Sequence, residues 1–163
     1  MKVSIATTLK EGLVVGMRSM PGNPYDCHTL AETLERVGIL TGTERPPATA
    51  IVDKGYRGVE IEGACILRSG QRRGVTRTLK AMIRRRSAIE PAIGRMKMYG
   101  RLGRNPLKGT LGDALHAVMC GAGHNLRLIL AALRLLCARF VLWVQALISA
   151  LIATTGDRRS ACG

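Results

Sequence analysis

The order of apolar and polar positions in the first half of the chain predicts short strands around one helix. Two β-rich runs, 2–8 and 13–20, are joined by the polar sequence LKEG and predict an antiparallel hairpin. Leu30, Leu34 and Val37 recur at helical spacing, and Gly38 is expected to end that helix. Short apolar runs at 49–53 and 63–70 predict two further strands, each followed by turn residues.

The second half of the chain has the spacing of helices. The pattern from about Thr76 to Lys97 is helical, and it carries five apolar positions: Leu79, Met82, Ile83, Ile89 and Ile93. Pro91 lacks an N–H group, so we expect it to kink or split this helix near Ser87–Glu90. A second long apolar stretch runs from Leu111 towards Ala153. The order β-β-α-β-β-α-α predicts an α/β domain with a mixed sheet and a C-terminal helical segment.

Charge is concentrated in one part of the chain. The 163 residues include 25 Lys and Arg against 11 Asp and Glu, a formal net charge of +14. Thirteen of the basic residues lie within 68–108, where Glu90 is the single acidic residue. Such a local field attracts a polyanion, either nucleic acid or an anionic membrane surface. The low aromatic content, 3%, argues against base stacking as the main contact with nucleic acid.

Two carboxylates are candidates for chemistry. Asp53 ends a predicted strand, and ligands commonly bind at strand ends in α/β sheets. Together with Glu90 it could hold a hard divalent cation such as Mg²⁺, which takes oxygen ligands and can promote phosphoryl displacement. The alternatives are a turn or helix-capping role for Asp53 and a buried ion pair for Glu90. Spacing alone does not bring the two residues together.

Two other patterns favour ordinary helix packing. His116, Cys120 and His124 resemble a zinc site, but on one helix the histidines would lie roughly 12 Å apart, too far for one tetrahedral ion. The uncharged segment 140–156 has 17 residues, at the short limit for a membrane span, and basic residues flank both ends. A packed or partner-facing helix is therefore favoured over a membrane-associated tail.

Four linked segments resemble one family. KVSIATTLKEGLVVGMRSMPGNPYDCHTL, VDKGYRG, RRRSAIEPAIGRMK and LGRNPLKGTLGDALHAVMCGAGHNLRLIL look like the C-terminal half of bacterial insertion-sequence DDE transposases of the insertion-sequence-five type. The resemblance covers about residues 2–136. It implies an RNase H-like fold in which three carboxylates bind two Mg²⁺ or Mn²⁺ ions, and Asp53 matches the second aspartate.

The same resemblance assigns the basic segment. Glu90 matches the family glutamate within the signature Tyr-x2-Arg-x3-Glu-x6-Lys, where Arg86 and Lys97 match and Ile83 replaces the tyrosine. The implied partner is double-stranded DNA, both insertion-sequence ends and target. The expected DNA-binding residues are Arg84, Arg85, Arg86, Arg95 and Lys97. The implied location is the bacterial cytoplasm, at the nucleoid, which agrees with five cysteines that form no CxxC pair.

By this resemblance the chain would lack the first catalytic aspartate and the central first strand of its sheet. Asp26 is interpreted as a turn or helix-capping residue and not as that aspartate. We therefore expect a truncated copy that is inactive and poorly stable alone, and that needs the upstream half or another transposase copy. The expected divisions are 1–110, a partial catalytic domain; 111–139, its C-terminal helices; and 140–163, an apolar helix and basic tail.

Two other functions are considered. A non-catalytic DNA-binding remnant would keep the basic helix without chemistry. A membrane-associated basic protein would use the segment 140–156. Metal-dependent nicking separates the transposase from the remnant, and DNA binding that weakens steeply with salt separates both from the membrane protein.

Overall fold

The computed structural model describes residues 2–43, 45–71 and 73–160. The end of the predicted tail, 161–163, lies outside the described residues. The elements follow in the order β1 (Lys2–Thr7), β2 (Val14–Met20), α1 (Asp26–Thr41), β3 (Thr49–Val52), β4 (Cys65–Arg68), α2 (Arg77–Arg85), α3 (Ile89–Tyr99) and α4 (Gly109–Ser160). The predicted α/β character and the four predicted strands are confirmed.

The strands form two separate pairs and not the single mixed sheet expected from the sequence. β1 and β2 are antiparallel, with Lys2 opposite Met20, whereas β3 and β4 are parallel, with Val52 opposite Arg68. Within the described residues each pair forms its own two-stranded sheet. Strand alternation predicts which residues form strands, but it does not determine which strands become neighbours. The expectation of one sheet was therefore wrong for these residues.

Helix α1 connects the two sheets through its apolar face. Leu30, Leu34 and Val37 are buried, as their spacing predicted, and the two leucines share a core cluster with Val52 of β3. The predicted stop at Gly38 was wrong, because the helix continues to Thr41 and ends at Gly42, whose φ is 68°. A glycine inside a helix costs only about 1 kcal/mol relative to alanine, whereas the left-handed conformation of a helix end favours glycine strongly.

The predicted break near Pro91 is confirmed. A short 3₁₀ turn, Arg86–Ala88, separates α2 from α3, which begins at Ile89. This start places Pro91 in the first turn of α3, where its missing N–H would have had no partner inside the helix. The basic segment is therefore divided between two helices, with Arg84 and Arg85 at the end of α2 and Glu90 in the first turn of α3.

The first part of α4 packs on the hairpin. Ala117 and Cys120 share a buried cluster with Met17 of β2 and Met96 of α3. A Cβ atom added at Gly121 would lie 2.8 Å from the Met17 sulfur, so the absence of a side chain permits this close approach. The first part of α4 is thus anchored to the hairpin by small residues.

Contacts divide the chain into two units, Met1–Asn125 and Leu126–Gly163, with the boundary inside α4. The divisions predicted at 110 and 139 stay a prediction. Most described residues of α4 after Asn125 are exposed, including large apolar ones such as Phe140 and Trp143. The stretch Gly109–Ile152 is long and apolar enough to cross a membrane, and none of its most apolar 18-residue window is buried. Length and composition alone support this possibility.

Candidate metal and nucleic-acid site

Two polar side chains meet where the parallel strands end. Val52 of β3 is opposite Arg68 of β4, so the next residues in register are Asp53 and Ser69. Ser69 donates its backbone N–H to the Val52 carbonyl at 2.9 Å, which continues the ladder by one step. Its hydroxyl then reaches the Asp53 carboxylate at 2.8 Å. The register of this short sheet therefore builds the site.

Each oxygen of the Asp53 carboxylate has a different set of partners. Oδ1 accepts from the backbone N–H of Lys54 at 2.7 Å and from the Ser69 hydroxyl. Oδ2 forms an ion pair with the Arg86 guanidinium, with 3.3 Å between nitrogen and oxygen. The Lys54 N–H, the Ser69 hydroxyl and the Arg86 charge together hold the pKa of Asp53 below its ordinary value. Asp53 is therefore kept as a carboxylate whose Oδ2 faces a cation.

Arg86 links this strand end to the segment that contains Glu90. It opens the 3₁₀ turn, and Glu90 follows four residues later in the first turn of α3. The Arg86 side chain is only 22% exposed, whereas that of Asp53 is 57% exposed and Glu90 is also exposed. The structure thus ties the two segments together through Arg86, although the joint metal role of Asp53 and Glu90 stays a prediction.

The donors present suit a hard divalent cation. Asp53 supplies carboxylate oxygens in an accessible position, already paired with a positive group, and Glu90 supplies an accessible carboxylate. Mg²⁺ is commonly held by one or two carboxylates, with waters and substrate phosphates completing its coordination. Among the residues that the structure describes, no group of three or more Asp, Glu, His or Cys side chains is placed to hold a metal ion.

The five predicted DNA-binding residues fall into two groups. Arg84, Arg95 and Lys97 are exposed on α2 and α3. Arg85 donates to the Lys10 carbonyl at 3.3 Å, and Arg86 is paired with Asp53. The first group is directly accessible to phosphate oxygens. The second group also holds parts of the protein together, which the sequence did not indicate.

The histidines and cysteine of α4 make contacts with the protein backbone. His116 Nε2 lies 3.0 Å from the Arg101 carbonyl and 3.7 Å from the Cys120 sulfur. The Cys120 thiol donates to the Gly100 carbonyl at 2.9 Å. His124 is buried, and its Nε2 lies 3.3 Å from the Gly12 carbonyl. The two histidines thus face different carbonyls, one after α3 and one at the hairpin turn.

Asp26 does not cap α1. Tyr25 occupies the N-cap position, and Asp26 is the first helical residue. Its carboxylate pairs with the Lys2 ammonium at 2.5 Å. A Cβ atom added at Gly55 would lie 2.9 Å from Asp26 Oδ2, so this carboxylate lies against the loop that follows Asp53. Of the two roles expected for Asp26, a turn residue or a helix cap, the cap was wrong, because the side chain turns towards the β1 strand instead.

Sequence reasoning missed Ser69 and the pairing of Arg86. A signal for Ser69 was available, since it lies near the end of the predicted strand 63–70, as Asp53 ends the predicted strand 49–53. Side chains at the carboxyl ends of neighbouring parallel strands lie close together. Nothing in the local pattern distinguished Arg86 from Arg84 or Arg85 as the partner of Asp53.

Comparison with known protein families gives a match over most of the chain. The transposase DDE domain family matches residues 1–126 of the chain. Neither a search of curated proteins nor a search of solved structures found a match.

Proposed function

Because the chain belongs to the transposase DDE domain family, we propose that it takes part in metal-dependent DNA strand cleavage and transfer at insertion-sequence ends. The observation that carries this proposal is the accessible Asp53 carboxylate, held at a parallel strand end and linked through Arg86 to the segment of Glu90. We propose the finer assignment as well, a bacterial transposase of the insertion-sequence-five type with an RNase H-like fold that acts on DNA in the cytoplasm.

Asp53 and Glu90 would hold Mg²⁺ or Mn²⁺ through their oxygens. When bound, such ions activate water and stabilise the oxygens of an in-line phosphoryl displacement. Ser69 and the Lys54 N–H would keep Asp53 oriented and ionised during this step. Arg84, Arg95 and Lys97 would bind DNA phosphates beside the site, which positions the duplex without reading its sequence.

A third carboxylate would come from outside residues 1–163. The two separate strand pairs support this, because a central strand between them would join them into the mixed sheet of an RNase H-like domain. Open strand edges offer backbone groups for such pairing. The proposed partner is the upstream half of a related transposase, which would supply both the strand and the first aspartate.

Replacing Glu90 tests the catalytic proposal. The chain is combined with the upstream half of a related transposase, and nicking of a labelled insertion-sequence-end duplex is measured with Mn²⁺. Glu90→Gln should abolish nicking while DNA affinity is unchanged or higher, because the change removes a cation ligand that also repels phosphate. Glu62→Gln is the matched control, since it removes the same charge from an exposed glutamate in the loop before β4.

Normal nicking by Glu90→Gln would exclude the metal role of this residue. The 163-residue chain alone should not nick the duplex, and robust nicking by it would contradict the need for a partner. The second candidate function is a non-catalytic DNA-binding protein, which is favoured by the absence of a three-residue acidic cluster within the described residues. It predicts salt-sensitive DNA binding that never leads to nicking, even with the partner present.

A further inference from the structure

The contact between Arg86 and Asp53 has two possible competitors. The Arg86 guanidinium pairs with Asp53 Oδ2, whereas Ser69 and Lys54 donate to Oδ1. A divalent cation at Asp53 would need Oδ2. A DNA phosphate would in turn attract Arg86, because arginine binds phosphate in a forked geometry.

We propose that Arg86 occupies the cation position on Asp53 when DNA is absent, and that DNA phosphates withdraw it and free Oδ2 for the divalent ion. This inference rests on the proposed metal site at Asp53. It gives Arg86 a role beyond that of a phosphate contact, as a positioning residue that couples metal binding to DNA binding.

The surroundings of the pair support an exchange. Asp53 remains 57% exposed, so an ion can approach it, and its Oδ1 is held independently by two donors. Withdrawal of Arg86 would therefore leave the carboxylate in place. The backbone N–H of Arg86 is bonded to carbonyls of α2, among them Met82 and Ile83, so the exchange would move the side chain and leave the backbone in place.

The size of the effect follows from the exposure of the pair. A partly exposed ion pair contributes up to about 1 kcal/mol, which corresponds to about fivefold in an equilibrium constant. Arg86→Ala should therefore raise the Mn²⁺ affinity of the DNA-free chain by up to about fivefold. Because coupling between two ligands is reciprocal, Mn²⁺ should also strengthen DNA binding by the wild-type chain more than by this variant.

The experiment measures Mn²⁺ binding to the 163-residue chain by the loss of the free-ion electron paramagnetic resonance signal. Each protein is titrated with and without a duplex, and the Mn²⁺ bound by the duplex alone is subtracted. Arg36→Ala is the matched control, since it removes the same charge from an exposed position of α1 that does not pair with Asp53. We expect Arg86→Ala to bind Mn²⁺ more tightly than Arg36→Ala without DNA, and to gain less Mn²⁺ affinity from added DNA.

Equal Mn²⁺ affinities of Arg86→Ala and Arg36→Ala, with binding abolished by Asp53→Asn, would overturn this inference and leave the metal site standing. Unchanged binding by Asp53→Asn would instead overturn the proposed metal site itself. Arg86→Gln is a second variant that keeps a polar side chain without charge. Loss of Mn²⁺ binding in both Arg86 variants counts against the proposal, since misfolding cannot produce the expected gain.

Discussion

Replacing Asn125 by alanine should loosen the attachment of α4 to the hairpin. The Asn125 side chain forms two hydrogen bonds with one residue of β2: its Oδ1 accepts from the Val14 N–H at 2.7 Å, and its Nδ2 donates to the Val14 carbonyl at 2.8 Å. The amide thus satisfies both backbone groups of Val14 as a neighbouring strand would. Alanine would leave both groups to water.

The magnitude follows from these two bonds. Each neutral hydrogen bond contributes about 1 kcal/mol net, so the pair contributes about 2 kcal/mol, or about 30-fold in an opening equilibrium. Val14 and Asn125 are half-buried, so water can partly replace the lost partners, which argues against a larger value. Asn125→Asp should not restore the attachment at neutral pH, because its second oxygen would face the Val14 carbonyl.

The assay is native-state amide hydrogen exchange at Val14 and along β2, which reports local opening even where overall stability is low. The control is Gln145→Ala, which removes an amide from an exposed position of the same helix and should leave β2 unchanged. The reasoning is refuted if Val14 exchanges less than about threefold faster in Asn125→Ala than in the control, a difference well below the two-bond value. The reasoning is also refuted if the Val14 amide of the unmodified chain shows no protection from hydrogen exchange.

Three other changes test separate parts of the structure. Gly94→Ala should slow amide exchange in α3 and stabilise this helix by up to about 1 kcal/mol, because the added Cβ meets no atom within 4 Å and alanine favours the helix. Faster exchange would show that the space around Gly94 is not open. Gly121→Val should destabilise the contact between α4 and β2 by about 1–3 kcal/mol, because the larger side chain would overpack against Met17. Amide exchange rates in β2 equal to those of the unmodified chain would exclude that close approach. Lys97→Ala should weaken binding to unrelated duplexes equally and lower the salt slope by about one unit, as should Arg86→Ala; a loss confined to one base position would indicate direct readout instead.

The sequence alone was sufficient for features that depend on local rules. Two β-rich runs joined by a polar turn predicted the hairpin, and the spacing of Leu30, Leu34 and Val37 predicted the buried face of α1. The break before α3 followed from the missing N–H of Pro91. Each of these depends on residues within one or two turns of each other, where periodicity and backbone chemistry dominate. Gly38 was the local exception, because a better helix end was available four residues later.

The tertiary structure decided the pairings between distant residues. Ser69 bonds to Asp53 across 16 positions, and Asn125 bonds to Val14 across 111. Only the tertiary structure shows that Asp53 pairs with Arg86 and not with Arg84 or Arg85. The separation of the described strands into two sheets is likewise visible only there. Local patterns predicted the pairing of adjacent strands in the hairpin but not the neighbours of elements distant in sequence, since those depend on how the helices and strands pack against each other.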